Sequence, residues 1–99
     1  MENKMSYKKD DVVSVITNAG EYVGKFKEEG PDTFTITKPK MLISGEGGVG
    51  FARGICVTGD EDAKELTFQK TGIVFVTPTS SVVQKAFIEA TTSIQLAMN

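Results

Sequence analysis

From Val12 to Phe26 the chain reads Val12-Val13-Ser14-Val15-Ile16-Thr17, then Asn18-Ala19-Gly20, then Glu21-Tyr22-Val23-Gly24-Lys25-Phe26. The first six residues are β-branched except for Ser14, and both faces of an extended chain through them are largely apolar. That pattern predicts a strand covered on both sides. Asn18-Ala19-Gly20 supplies turn residues. From Glu21 to Glu28 the chain alternates, with Tyr22, Gly24 and Phe26 on one face and Val23, Lys25 and Lys27 on the other. The two segments read as a hairpin.

Outward toward the carboxy terminus, Glu29-Gly30-Pro31-Asp32 is a second turn signal. Thr33 to Lys38 is a third strand with Phe34 and Ile36 on one face. Pro39 ends or bends it, because proline cannot donate to a ladder, and Met41 to Ile43 continue it beyond a bend. Residues 44–50 read as a flexible glycine-rich tip. Phe51 to Thr58 fits a short strand or an ordered loop, and Gly59-Asp60-Glu61-Asp62 a solvated acidic turn. Residues 39–64 together form one long insertion, of the kind that is usually functional, mobile or completed by a partner chain. Leu66 to Lys70 and Ile73 to Val76 are the last two strands, separated by Thr71-Gly72 and closed by Thr77-Pro78-Thr79.

A helix over 82–97 ends the chain. Ser81 followed by Gln84 is a capping-box spacing. Val83, Phe87, Ala90, Ile94 and Ala97 then recur as one amphipathic stripe. Residues 1–10 read as a polar arm or a short first turn. The chain is thus expected to be a single domain over 1–99, with a strand-rich body over 12–78 and a carboxy-terminal helix.

Composition narrows the function. The chain has 99 residues, a net charge of −2, one cysteine and no histidine. It is not a basic protein that coats duplex DNA, so any nucleic-acid contact comes from a local patch. The absence of histidine removes the commonest general base and zinc ligand. No serine or threonine has a histidine partner, which excludes a hydrolase triad in its usual form. Asp60, Glu61, Asp62 and Glu65 share one wet turn, whereas acid–base catalysis needs carboxylates in different environments. Gly45-Glu46-Gly47-Gly48-Val49-Gly50 has the spacing of a dinucleotide-binding loop, but no helical stripe follows it. The expectation is a protein that is not an enzyme and uses no cofactor and no metal. Cys56 reads as a buried, inert thiol, and a lone cysteine fits a reducing, cytoplasmic compartment. No apolar run approaches the ~18–20 residues of a membrane span, so no membrane partner is expected.

The basic residues are more informative. Lys25 and Lys27 share a strand face, Lys38 and Lys40 flank Pro39, and Lys70 precedes the Thr71-Gly72 turn. Tyr22, Phe26, Phe34 and Phe68 lie near them in sequence order. Binders of single strands combine aromatic stacking with local positive charge, although phenylalanines at period two are more often core.

Val12 to Phe26 with its Gly24, then Asp32-Thr33-Phe34-Thr35-Ile36, then Lys70-Thr71-Gly72-Ile73-Val74-Phe75-Val76-Thr77-Pro78, resembles in that order the Sm and LSm family. The closing segment is similar to that of the bacterial Sm-like RNA chaperone. The resemblance covers about half the chain. Three departures mark a divergent branch, similar to small Sm-like proteins of marine phages, for which the compartment would be the host cytoplasm. Thr35 stands where the family has asparagine. Lys70-Thr71-Gly72 replaces its arginine–glycine or lysine–histidine turn. The helix follows the strands instead of preceding them. The resemblance implies a small, mostly β, strongly bent five-stranded SH3-type barrel with a C-terminal α-helix, assembled into a homo-oligomeric ring by pairing of the fourth strand with the fifth of the next subunit. It also implies binding of single-stranded RNA, or DNA, through Phe34, Thr35, Lys70, Thr71 and Gly72. A structural or adaptor ring that binds no nucleic acid is the competing expectation.

Overall fold

The computed structural model describes residues 7–52, 54–56 and 58–97, with side chains in the helix up to residue 92. The chain is mostly β. Its strands are β1 (Val12–Thr17), β2 (Gly20–Glu29), β3 (Thr33–Gly45), β4 (Gly48–Phe51), β5 (Glu65–Gln69) and β6 (Ile73–Pro78), followed by helix α1 (Ser81–Ala97). All pairings are antiparallel, and the strands run β6–β1–β2–β3 across one sheet. The far edge of β3 is shared: its first half pairs with β5 and its second half with β4. The sheet has six strands where five were expected, and it is not closed.

The sixth strand arises at Pro39, which bends β3 without ending it. Val23 pairs with Lys40 and Lys25 with Thr37, so Lys38 and Pro39 together face Gly24. This bulge carries a left-handed Lys38, with φ of +52°, and places the proline where no ladder donor is required. Beyond it the chain continues to Gly45 and returns as β4 through the two-residue loop Glu46-Gly47, with Gly45 opposite Gly48. Residues 44–50, expected to be a loop tip, therefore include most of a hairpin.

The first hairpin divides its side chains between two apolar clusters. Val13 and Val15 join Tyr22, Phe26, Phe34 and Ile36 in the main core. Leu66 and Phe68 of β5, and Ile73 and Val76 of β6, pack against that same cluster, so both ends of the sheet curl round it. On the opposite face Val12 and Val23 meet Phe87 of α1, with Leu42, Phe51 and Val83 around them. The strand covered on both sides is thus explained, one side by the sheet's own curvature and the other by the helix. Helical stripe positions Ile94 and Ala97 lie, as side chains, outside the described residues.

Two local expectations are corrected. Ser80, not Ser81, caps the helix: its carbonyl accepts from Gln84 N–H at 2.8 Å and its hydroxyl from Val83 N–H at 3.4 Å. Cys56 is exposed rather than buried. It sits in the irregular stretch after β4.

Ser14 and Thr79 form a buried polar tie. Their hydroxyls are 2.8 Å apart, and Thr79 N–H donates to the Val12 carbonyl at 3.2 Å. The tie fixes the exit of β6 against β1 just before the helix begins. Ser14→Ala leaves the Thr79 hydroxyl buried without its side-chain partner, at an expected cost of roughly 1–3 kcal/mol in urea unfolding. The double variant Ser14→Ala/Thr79→Val, which removes both hydroxyls, should recover most of that loss.

Candidate nucleic-acid interface

Two turns meet at one end of the sheet. The β2–β3 turn ends at Asp32, and Lys70 opens a 3₁₀ turn over Lys70–Gly72 between β5 and β6. Lys70 N–H donates to the Asp32 carbonyl at 2.8 Å. Ile73 N–H closes the 3₁₀ turn on the Lys70 carbonyl. Pairing of Thr33 with Gln69 brings the two turns together. Lys70, Thr71 and Gly72 therefore stand beside the Gly30–Asp32 turn, with Thr71 and Gly72 exposed. A Cβ built on Gly72 meets nothing within 4 Å, which leaves room for a ligand to approach the backbone.

Phe34 and Thr35 are close in sequence to this surface but withdrawn from it. Phe34 is 3% exposed and Thr35 is 5% exposed. The Phe34 ring packs on Phe26 at 5.4 Å and on Tyr7 at 6.3 Å. The Thr35 hydroxyl bonds that of Thr67 across the β3–β5 pair at 2.9 Å. Tyr22 and Phe68 also pack on each other, at 5.4 Å. All four aromatics singled out from the sequence thus belong to the core or pack against it. Phe75, by contrast, is 53% exposed on β6, next to Val74 at 56%. The sequence signal for this pair was an apolar edge strand with no charge to guard it.

Charge at this end is largely paired. The Lys70 ammonium lies 2.7 Å from a Glu29 carboxylate oxygen, with both side chains partly exposed. At the opposite end of β5 from this turn, Lys27 of β2 reaches across β3 to Glu65 at 2.5 Å. The hydrogen bond that Lys27 donates to Glu65, with the charge of that carboxylate, raises the Lys27 pKa above the ordinary lysine value. Tyr7, ahead of β1, lays its ring on Phe26 at 5.8 Å. Burial raises its phenol pKa, with the carboxylates of Glu29 and Asp11 adding to the effect. The folded chain holds both protons more tightly than the unfolded chain, so both contributions are present below the ordinary pKa values and are lost as pH rises through the shifted ones.

Among the described residues no three histidine, cysteine, aspartate or glutamate side chains gather as a metal-binding set, and no helix is long and apolar enough to cross a membrane. Comparison with protein families and with curated proteins finds no match to this chain.

Proposed function

We propose that the chain is a ring-forming, Sm-like protein that holds single-stranded nucleic acid, RNA rather than DNA, at the surface made by Lys70, Thr71, Gly72 and the β2–β3 turn. The observation that carries this reading is the strand order β6–β1–β2–β3–β5 wrapped round one core. Among the described residues it leaves β6 paired only with β1 and β5 paired only with β3. β6 exposes Val74 and Phe75, a hazard as a bare edge. Pairing of β6 with β5 of a second copy removes both edges at once, and a heterologous contact of this kind closes into a ring. On this reading the bent sheet is a barrel of the Sm type, completed between subunits, with β4 as an added arm.

The ligand contact is electrostatic and repeated. One lysine per subunit, already shared with Glu29, binds a phosphate weakly, and the ring multiplies it. With Phe34 and Thr35 in the interior, the Thr71 hydroxyl and the Lys70 ammonium are what this site can offer a base edge, so selectivity among bases is poor. The same burial, together with the Lys70–Glu29 pair, favours the second reading, a structural or adaptor ring with no nucleic-acid ligand.

One experiment tests both. Light scattering at micromolar concentration should give several times the 10.7 kDa of one chain. Fluorescence anisotropy should show oligo(U) and oligo(A) bound alike, with affinity falling steeply as salt rises. Lys70→Ala should weaken both ligands to a similar degree with the ring intact. A monomer removes the ring; a ring that binds neither oligonucleotide at low salt leaves the adaptor reading.

A further inference from the structure

The groove between the kink of β3 and the helix has no part in the surface described above. Its volume is about 480 Å³, and its walls are Lys38, Pro39 and Lys40, the loop 61–65 and Thr91 of α1. Lys38 holds a left-handed backbone, with φ of +52°, where lysine is strained and glycine is not. Pro39 after it narrows the allowed conformations further. A glycine would make this bulge more easily; what lysine adds is an ammonium on the groove wall.

The lysines of the groove are held by backbone contacts. Lys38 N–H donates to the Lys64 carbonyl at 3.0 Å, which ties the 61–65 loop to the strand. Lys40 is held in the ladder opposite Val23. Among the described residues none of Lys38, Lys40 and Lys64 makes an ion pair, whereas Glu65 on the same wall is taken by Lys27 at 2.5 Å. Asp62 lines the groove with its carboxylate exposed to solvent, while Pro39 is buried and Ala63 half-buried. The groove therefore combines three lysines, the carboxylates of Glu61, Asp62 and Glu65, of which Glu65 is engaged by Lys27 and Asp62 is open to accept from a hydroxyl, and an apolar patch.

We propose that this groove binds a small phosphate ester with a hydroxylated body, the class that includes nucleoside monophosphates and sugar phosphates. The lysines take the phosphate through charge-assisted hydrogen bonds. Asp62 accepts from a hydroxyl of the body, and the body lies over Pro39 and Ala63. The volume is within the roughly 300–1,000 Å³ of small-molecule sites. Every group belongs to one chain, so the site does not depend on the ring or on the surface at Lys70.

The test is a titration of the full ¹⁵N-labelled chain with AMP, ribose 5-phosphate and inorganic phosphate in turn. AMP and ribose 5-phosphate should shift the amides of Lys38, Lys64 and Thr91 saturably, and inorganic phosphate should bind more weakly. Lys38→Gly relieves the backbone and so stays folded, yet should weaken AMP binding about tenfold, the worth of one charge-assisted hydrogen bond. Asp62→Asn should narrow the preference for the esters over inorganic phosphate. Lys70→Ala should leave AMP binding unchanged while weakening oligonucleotides, which separates this site from the proposed nucleic-acid surface. The proposal is overturned if neither ester gives saturable shifts at millimolar concentration, if Lys38→Gly binds AMP as wild type does, or if inorganic phosphate binds as tightly as the esters.

Discussion

Phe87→Ala is expected to destabilise the chain by about 3–5 kcal/mol, the range for removing a buried aromatic from a core. Phe87 is 0% exposed, the largest of the fully buried side chains. It is also the one buried residue of α1 among its described side chains. Its ring meets Phe51 at 6.4 Å edge-on and closes over Val12 and Val23. Truncation leaves a cavity between helix and sheet that only Val83, Leu42 and Phe51 can partly fill. Net stabilities of small domains are about 5–15 kcal/mol, so this one change removes a large share. The helix should also melt ahead of the sheet, because little else on it is buried. Far-ultraviolet circular dichroism through a urea titration reads both effects. Val82→Ala, at a side chain 78% exposed, is the control and should stay within about 0.5 kcal/mol of wild type. A Phe87→Ala change as small as that control would place the helix off the sheet.

The helix and the first hairpin were legible because hydrophobic period reports which faces are buried. Val12 to Thr17 asked for cover on both sides, and the structure supplies it with two separate clusters. Pro39 was harder. Period and proline chemistry say that a ladder donor is missing, but not that Lys38 turns left-handed to absorb it. Once the strand survives Pro39, the glycine-rich tip beyond becomes a hairpin. Tyr7 was missed since one aromatic in a charged segment carries no period, yet its ring lies on Phe26 and Phe34. Phe34 and Thr35 show the limit of reading a site from a resemblance. Alternation already placed Phe34 with Ile36 on one face, and that local signal describes the burial of Phe34 better than the role implied for it; Thr35, on the other face, is buried with its hydroxyl bonded to Thr67. Only the Lys70–Gly72 half of that site reaches the surface, for a backbone reason that side-chain patterns do not carry: the Lys70 N–H bond to Asp32.

Gly24→Ala is expected to cost about 3 kcal/mol, at the upper end of what overpacking usually does, and to act on the candidate surface as well as on stability. A Cβ at Gly24 would lie 2.7 Å from Ile36 Cδ1, 2.9 Å from the Thr37 carbonyl oxygen and 3.1 Å from Ile36 Cβ. The side-chain tip of Ile36 could rotate away. The Thr37 oxygen is backbone, and Ile36 is fully buried in the core, so the strands themselves must separate. They meet here because β2 lies against the Lys38–Pro39 bulge, and bulges sharpen the bend of a sheet. The bend carries β5 and β6 round to the same cluster, and the turn joining them reaches Asp32. Opening β2 from β3 at Gly24 therefore loosens that junction. A glycine-specific effect is separated from a general one by Gly50→Ala, where a new Cβ meets nothing within 4 Å and the change should be within about 0.5 kcal/mol. Hydrogen exchange gives the second readout. In Gly24→Ala the Lys70 amide should lose protection even under conditions where the chain stays folded, and in Gly50→Ala it should not. Equal stability of the two variants would mean that the close approach of β2 and β3 does not set the bend.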